Sequence, residues 1–148
     1  VVYYNRTRLA PELETTYQTR RLKLAELLAI SDVISLHTPL TDQTWHLIDR
    51  DSLKLMKPTA IIINTARGSV IDESALTEAL QNHWIASAGL DVYEDEPNIT
   101  PALLELDNVV LAPHSGTATV DTRNEMSRFA SQNIIRYFEG RNDITRVN

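Results

Sequence analysis

The 148-residue chain has no cysteine, only four glycines and no long apolar run. The lack of cysteine excludes disulfides and thiolate metal sites, and it is compatible with a reducing cytoplasm. Apolar runs such as Ala60–Ile63 are far too short to span a bilayer, and the N-terminus has no basic segment followed by an apolar core. We therefore expect a cytoplasmic protein with no membrane partner.

Histidine spacing and charge exclude two further classes of protein. The four histidines lack metal-ligand spacing such as His-Glu-x-x-His, so no metal is expected. The net charge is -6 at pH 7 and the 14 Lys and Arg residues are scattered, so we expect no nucleic acid partner. With 43% hydrophobic and 23% charged residues, the composition is that of an ordinary globular domain.

Short β-branched runs alternate with amphipathic stretches, which predicts an α/β fold around a mainly parallel sheet. The predicted strands are Val1–Tyr4, Val33–Leu36, Ala60–Asn64, Ile85–Asp91 and Val109–Leu111. The predicted helices are Leu24–Ile30, Asp49–Met56, one that Asp72 caps and that carries Leu76, Ala79 and Leu80 on its apolar face, and Thr119–Phe138. Gly140 is expected to end the last helix, and the tail after it is expected to be extended.

A glycine-rich phosphate loop is missing from this pattern. A complete dinucleotide-binding half begins with a strand, a Gly-x-Gly-x-x-Gly turn and a helix, because glycines let the backbone approach the pyrophosphate. The glycines at 68, 89, 116 and 140 do not form that motif. If Val1–Tyr4 is the second strand, the fold is a Rossmann-like doubly wound parallel sheet, truncated at the N-terminus and without its first strand and glycine-rich loop. We expect such a fragment to bind dinucleotide weakly or not at all.

The first predicted strand is followed by Asn5, Arg6, Thr7 and Arg8. At this place dinucleotide-binding folds carry either a carboxylate for the ribose hydroxyls of NAD or an arginine that accommodates the 2′-phosphate of NADP. No carboxylate is present here, so NADP is favoured over NAD. The alternative is that Arg6 and Arg8 are solvated loop residues.

Three segments that follow predicted strands carry groups suited to catalysis. They are Asn64–Gly68 with Arg67, Gly89–Pro97 with Glu94, Asp95 and Glu96, and Pro113–Thr117 with His114. Open α/β sheets bind ligands outside the carboxyl ends of their strands, so an arginine, a carboxylate and an imidazole are expected in one crevice. Each residue alone is more often structural, but the combination indicates an active site. By position alone, the three acidic residues compete for one role.

The amino-acid sequences of these segments closely resemble the signatures of the D-isomer-specific 2-hydroxyacid dehydrogenases. The matching stretches are Asn-Thr-Ala-Arg-Gly with Val70-Ile71-Asp72, Gly-Leu-Asp-Val-Tyr-Glu-x-Glu-Pro, Pro-His-x-Gly-x-Ala-Thr, Ser31–Leu40 and Asn133–Gly140. The resemblance implies that residues 1–117 form a partial NAD(P)-binding domain. It also implies that residues 118–148 form a helix and tail that return toward a substrate domain outside this chain.

The same resemblance assigns the catalytic roles. Arg67 holds the carboxylate and carbonyl of the substrate, a task that suits a permanently charged planar guanidinium. His114 is the general acid in reduction and the general base in oxidation. Glu96 hydrogen-bonds His114, orients its ring and stabilises the imidazolium. The family pattern favours Glu96 over its acidic neighbours because the matching glutamate directly precedes the proline.

Further residues match positions that line the cofactor in this family. The set includes the catalytic residues Arg67 and His114. Its members are Asn5, Arg6, Thr7, Pro39, Thr44, Thr65, Ala66, Arg67, Asp91, His114, Ser115, Gly116 and Thr117. Two of them depart from the pattern: Asn5 replaces the more common ribose-binding aspartate, and Ser115 stands where a larger apolar residue is usual. His37 also matches a family motif, and both a packing role and a cofactor contact stay open for it.

The resemblance implies an oxidoreductase that transfers a hydride between NAD(P)H and a small 2-keto acid, such as glyoxylate or hydroxypyruvate. It also implies a homodimer for the full-length protein, while the isolated fragment is expected to be inactive. The first alternative is a non-catalytic, cofactor-sensing scaffold like the corepressors of the same superfamily. The second is an inactive domain fragment with only a structural or partner-binding role.

Overall fold

The computed structural model of the protein describes residues 1–145, and it divides them into two compact units. The first unit is Val1–Pro113, and the second begins at His114. All six strands lie in the first unit. The assignment of residues 1–117 to a cofactor domain and of residues 118–148 to a returning helix stays a prediction.

The strands form two parallel sheets. Strands β1 (Val2–Tyr3) and β2 (Arg20–Arg21) pair with each other. Strands β3 (Val33–Leu36), β4 (Ile61–Asn64), β5 (Ser87–Leu90) and β6 (Val109–Leu111) form a second sheet in the order β3-β4-β5-β6. In the doubly wound order 3-2-1-4-5-6, a pair of strands lies on one side of the central strand 1 and a longer run of strands lies on the other. The observed pairing is therefore that of the two sides of a Rossmann-like sheet, and the predicted α/β fold class is confirmed.

Five short helices belong to the first unit. They are α1 (Pro11–Thr16), α2 (Leu24–Ile30), α3 (Arg50–Leu55), α4 (Glu73–Gln81) and α5 (Pro101–Leu104). Asp72 caps α4 as predicted, because its Oδ1 accepts a hydrogen bond from Ala75 N at 2.9 Å. Asp49 caps α3 in the same way, because its Oδ1 accepts a hydrogen bond from Ser52 N at 2.8 Å. That hydrogen bond from the backbone lowers the pKa of the Asp49 carboxyl.

The core of this unit lies between the four-stranded sheet and its crossover helices. Ile62 of β4 is fully buried, and so are Leu53 of α3 and Leu80 of α4. Ile85, which precedes β5, is fully buried as well. Truncation of such side chains to alanine costs about 2 to 5 kcal/mol of folding free energy. The predicted apolar face of α4 is therefore confirmed, and the core fixes the edge of the sheet where the candidate residues lie.

Four elements were not expected from the sequence, and one of them is the 3-10 helix Gly68–Val70. Helix α1 has six residues, α5 has four and β2 has two. All three are too short to show a hydrophobic period in the sequence. Both helices begin with a proline, whose fixed φ favours the first helical turn. Strand β5 is shorter than the predicted Ile85–Asp91, although Asp91 N still donates to Asn64 O at 3.0 Å.

The second unit contains α6 (Val120–Phe138), which Thr119 caps by accepting a hydrogen bond from Thr122 N. Gly140 follows the helix with φ 71°, so the predicted glycine stop is confirmed. Arg141 to Thr145 form no helix or strand, and the rest of the predicted extended tail, residues 146–148, lies outside the described residues. Within residues 1–145, no helix has the length and apolar character needed to cross a bilayer.

Candidate active site

The carboxyl ends of three neighbouring strands lie at one edge of the four-stranded sheet. Leu36 of β3 is in register with Asn64 of β4, and Asn64 is in register with Leu90 of β5. The segments that begin at His37, Thr65 and Asp91 therefore leave the sheet side by side. This placement brings the Arg67 turn and the acidic Asp91–Glu96 loop together within the first unit.

Asn64 shapes the turn that carries Arg67. Its side chain is 1% exposed; Oδ1 accepts from Ala66 N at 3.0 Å, and Nδ2 donates to Arg67 O at 2.9 Å. The guanidinium of Arg67 is exposed, and its Nη1 donates to Ala66 O at 2.6 Å. Asn64 was not among the predicted site residues, although an amide at the end of an apolar strand signals a buried polar group that needs partners.

Gly68 lets this turn pack directly on the acidic loop. A Cβ at residue 68 would lie 1.9 Å from Tyr93 O and 2.5 Å from Glu94 N, both of them backbone atoms. Only glycine permits such a close approach of two backbones. The glycine of the Asn-Thr-Ala-Arg-Gly motif therefore sets the distance between Arg67 and the loop that bears Glu96.

Three of the four acidic residues in the loop, Glu94, Asp95 and Glu96, have different partners. Glu96 Oε1 accepts from Tyr93 N at 3.0 Å, whereas Asp95 Oδ2 accepts from Asn98 Nδ2 at 3.1 Å. Glu94 Oε1 lies 2.7 Å from His46 Nε2. The structure thus gives different partners to three carboxylates that compete for one role by position alone. The catalytic role of Glu96 and its pairing with His114 stay predictions.

Two further residues, not predicted from the sequence, anchor this loop. Glu73 at the start of α4 is 7% exposed, and its carboxylate accepts hydrogen bonds from Glu94 N at 2.9 Å and from Thr100 N at 3.3 Å. The Tyr93 hydroxyl donates to Ala112 O at 2.8 Å, just beyond β6. Burial raises the pKa of the Tyr93 phenol. Nothing in the sequence distinguishes Glu73 from an exposed acid in a first helical turn.

The loop after β1 carries two arginines, Arg6 and Arg8, and their side chains have different partners. Arg8 donates to both oxygens of Glu14, at 3.0 and 2.7 Å, and this contact, followed by one from Tyr3, lowers the pKa of Glu14 to about 2. Arg6 instead donates to the neutral amide of Gln43 at 3.3 Å. Among residues 1–145, no carboxylate forms an ion pair with Arg6. Its charge is therefore available to a ligand.

Arg21 of β2 contacts this loop, and no pattern in the sequence predicted the contact. Its Nε donates to Asn5 O at 2.9 Å and its Nη2 donates to Arg6 O at 3.0 Å. The backbone of the predicted cofactor segment is thus held from the neighbouring strand. Thr7 is exposed in the same segment.

The predicted cofactor residues after β3 form a closed turn. Thr44 Oγ1 donates to Pro39 O at 2.6 Å and accepts from Thr41 N at 2.8 Å. His37 Nε2 lies 2.8 Å from Ser35 Oγ. These contacts bring Pro39 and Thr44 together and give both residues a structural role, while their contact with a cofactor stays a prediction.

In the second unit, His114 is exposed and has φ 51°. A positive φ is uncommon for a residue with a side chain and occurs more often at functional sites. Ser115 O accepts from Ala118 N at 2.9 Å, so Gly116 and Thr117 lie within a turn. No group of three or more His, Cys, Asp or Glu side chains suited to a metal ion occurs in the described part of the chain.

Comparisons with known proteins identify the family. Residues 1–116 match the family described as D-isomer specific 2-hydroxyacid dehydrogenase, NAD binding domain. A glyoxylate reductase of Thermococcus litoralis is 49% identical over 140 residues, which are 95% of this chain and 42% of that protein. A second glyoxylate reductase, from Thermococcus onnurineus, matches 100% of this chain with 44% of its own length. The chain therefore spans less than half the length of the curated relatives that it matches.

Solved structures agree with this match. A glyoxylate reductase from Paecilomyes thermophila has a TM-score of 0.86 and 44% identity, over 91% of this chain and 40% of that chain. An NADPH-dependent glyoxylate/hydroxypyruvate reductase from Sinorhizobium meliloti, in complex with NADP and malonate, has a TM-score of 0.87 and 38% identity, over 93% of this chain and 42% of that chain. The chain belongs to the D-isomer specific 2-hydroxyacid dehydrogenase family, and its residues 1–116 correspond to the NAD-binding domain.

Proposed function

We propose that this protein reduces a small 2-keto acid, such as glyoxylate or hydroxypyruvate, with NADPH or NADH. One observation carries the proposal: Gly68 seats the turn of an exposed arginine directly on the loop that holds Glu96, at the carboxyl edge of a parallel sheet. That edge is where doubly wound folds bind ligands. The names of the curated relatives support the choice of substrate class.

In this proposal three side chains divide the work on the substrate. The Arg67 guanidinium holds the carboxylate and polarises the carbonyl through paired, charge-assisted hydrogen bonds. The His114 imidazolium gives a proton to the carbonyl oxygen, and Glu96 orients that ring and stabilises its charge. When bound, the nicotinamide supplies the hydride that adds to the carbonyl carbon.

The cofactor proposed is NADP in preference to NAD. Arg6 fits a 2′-phosphate because its guanidinium has no ion-pair partner within residues 1–145, and Arg21 holds the backbone beneath it. Asn5 places no carboxylate at the ribose, so nothing in this segment repels the phosphate. Solved relatives include an NADP complex, from Sinorhizobium meliloti, and an NAD complex, from Lactobacillus delbrueckii, so the preference is argued from Arg6 and Asn5. Thr65, Ala66 and Asp91 follow the strand ends where the rest of the dinucleotide would lie.

The cell context is proposed with the function. The lack of cysteine supports a cytoplasmic location, and the net charge of -6 supports the absence of a nucleic acid partner. Family resemblance supports a homodimer. A membrane partner is not proposed.

The test is NADPH and NADH oxidation by protein made from the full reading frame, with a panel of 2-keto acids. We expect turnover, with a lower KM for NADPH than for NADH. His114→Asn should reduce kcat about a hundredfold to ten-thousandfold and leave cofactor Kd unchanged. Cofactor binding without turnover on any keto acid would overturn the proposal and favour the scaffold alternative.

A further inference from the structure

His46 lies where three segments of the first unit meet, and the proposed chemistry does not use it. Its backbone N donates to Ser69 O at 2.8 Å, next to Gly68 in the Arg67 turn. Its ring Nε2 lies 2.7 Å from Glu94 Oε1, and Nδ1 lies 4.0 Å from Asp72 Oδ2. One residue thus contacts both the arginine turn and the acidic loop.

The ring contact is a directed hydrogen bond with limited access to water. An ionised carboxylate only accepts, so Nε2 carries the proton that is donated to Glu94. The His46 side chain is 19% exposed, and its ring stacks on Trp45 with centroids 3.5 Å apart. Stacking fixes the plane of the imidazole, which fixes the direction of its hydrogen bond.

Glu94 transmits this contact toward Glu96. On the other side of the loop, Glu94 N donates to the buried carboxylate of Glu73 at 2.9 Å. Tyr93, the preceding residue, holds the Glu96 carboxylate through its backbone N at 3.0 Å. Glu94, two residues before Glu96, is therefore held at its backbone by the Glu73 carboxylate and at its side chain by His46, with a longer contact of 3.4 Å from Glu73 N to Glu94 Oε2.

The backbone of His46 has a positive φ. Its φ of 46° lies in the left-handed region, where asparagine and glycine are preferred. Asparagine is therefore the substitution at residue 46 that keeps this backbone conformation while it removes the ring.

We propose that His46 is a positioning residue that fixes the Tyr93–Glu96 segment, and with it the Glu96 carboxylate, against the Arg67 turn. The inference rests on the proposed function for its effect on turnover. The contact between His46 and Glu94 itself does not depend on that function.

The test compares matched variants of protein from the full reading frame. His46→Asn suits the positive φ but is too short for the contact with Glu94, whereas His46→Gln extends an amide N–H to about the reach of Nε2. His83→Asn is the control, because His83 also has a positive φ, of 54°, and its exposed ring makes no hydrogen bond or ion pair within residues 1–145.

We expect His46→Asn to lower kcat about tenfold to a hundredfold, with the KM for NADPH unchanged and the melting temperature not lowered. His46→Gln should recover most of the loss, and His83→Asn should match the unmodified protein. An unchanged kcat in His46→Asn, or a loss that only follows the melting temperature, would overturn the inference.

Hydrogen exchange separates this inference from the proposed function. In His46→Asn the amides of Tyr93 and Glu94 should exchange about tenfold faster, while those of β5 stay unchanged. If the unmodified protein turns over no keto acid, the proposed function fails, and these exchange rates still decide the role of His46. Equal exchange in His46→Asn and His83→Asn would refute it.

Discussion

Gly68 and Tyr93 are packed backbone against backbone, so closely that a Cβ on residue 68 would lie 1.9 Å from the Tyr93 carbonyl oxygen. No side chain mediates this contact, and backbone atoms cannot rotate out of the way. The separation of the Arg67 turn from the acidic loop is therefore set by the absence of one methyl group. In the proposed function Arg67 holds the substrate and Glu96 orients the catalytic histidine, so the geometry of the reaction would depend on that separation.

Gly68→Ala should therefore destabilise the protein and impair its activity together. We expect a loss of about 1 to 3 kcal/mol in the free energy of unfolding, as for other overpacked sites. A displacement of the turn by about 1 Å should lower kcat/KM for a keto acid about a hundredfold. Urea denaturation and steady-state kinetics measure the two effects.

Gly140→Ala provides the matched control. A Cβ at residue 140 meets nothing within 4 Å, but its φ of 71° strains any side chain. That variant should lose about 1 to 2 kcal/mol of stability with no change in kcat/KM. Equal activity losses in the two variants would show that the contact between Gly68 and Tyr93 does not set the catalytic geometry.

The sequence predicted the regular elements well where they are long or bounded by clear signals. Leu24–Ile30, Val33–Leu36 and Val109–Leu111 have the predicted bounds, and each is a mostly apolar stretch that follows a polar residue. The Asp72 cap was predicted from residue type alone. Helices α1 and α5 were missed, since an element of one or two turns shows no period.

The parts of the site that escaped prediction depend on contacts between distant residues. The burial of Glu73 arises from a loop about twenty residues downstream, and no local pattern encodes it. The pairing of Arg8 with Glu14 likewise distinguishes two arginines that are equivalent in the sequence. Motifs identified the candidate groups, whereas tertiary contacts determine which of them are held and by what.

Arg6 should determine the choice between the two cofactors. Arg6→Gln removes the cation proposed to face the 2′-phosphate, and a charge-assisted hydrogen bond is worth about 1.5 to 3 kcal/mol. We expect the KM for NADPH to rise about tenfold to a hundredfold and the KM for NADH to change little. Arg20→Gln, which removes the same charge from β2, should leave both values unaltered. A parallel rise for both cofactors would remove Arg6 from the discrimination.

Glu14 should titrate unusually low because of Arg8. The two hydrogen bonds from the guanidinium favour the ionised form and lower the pKa of Glu14 from 4.5 to about 2. A depressed folded-state pKa contributes stability above the unfolded value, and this contribution is lost as the pH falls through the folded value. Arg8→Gln should shift the Glu14 carboxyl titration, followed by carbon NMR, back toward 4.5.

The same linkage predicts how stability changes with pH. Arg8→Gln should be less stable than the unmodified protein at about pH 5, and the difference should shrink as the pH falls toward about 2. Arg20→Gln, with the same change of charge and no contact with Glu14, should show no such convergence. A difference that stays constant across this range would mean that the ionisation of Glu14 is not linked to folding.

The hydroxyl of Tyr93 should contribute to stability in addition to its buried ring. Tyr93→Phe keeps the buried ring but leaves Ala112 O without the donor that now lies 2.8 Å away. We expect the free energy of unfolding to fall by about 1 to 2 kcal/mol.

Because burial raises the pKa of this phenol, the folded state favours the protonated form, and the unmodified protein should also lose stability as the pH rises above the ordinary tyrosine value. Tyr93→Phe should weaken that alkaline loss, whereas Tyr17→Phe, at an exposed position, should alter neither quantity. An alkaline transition that is identical in both variants would show that the loss comes from another group.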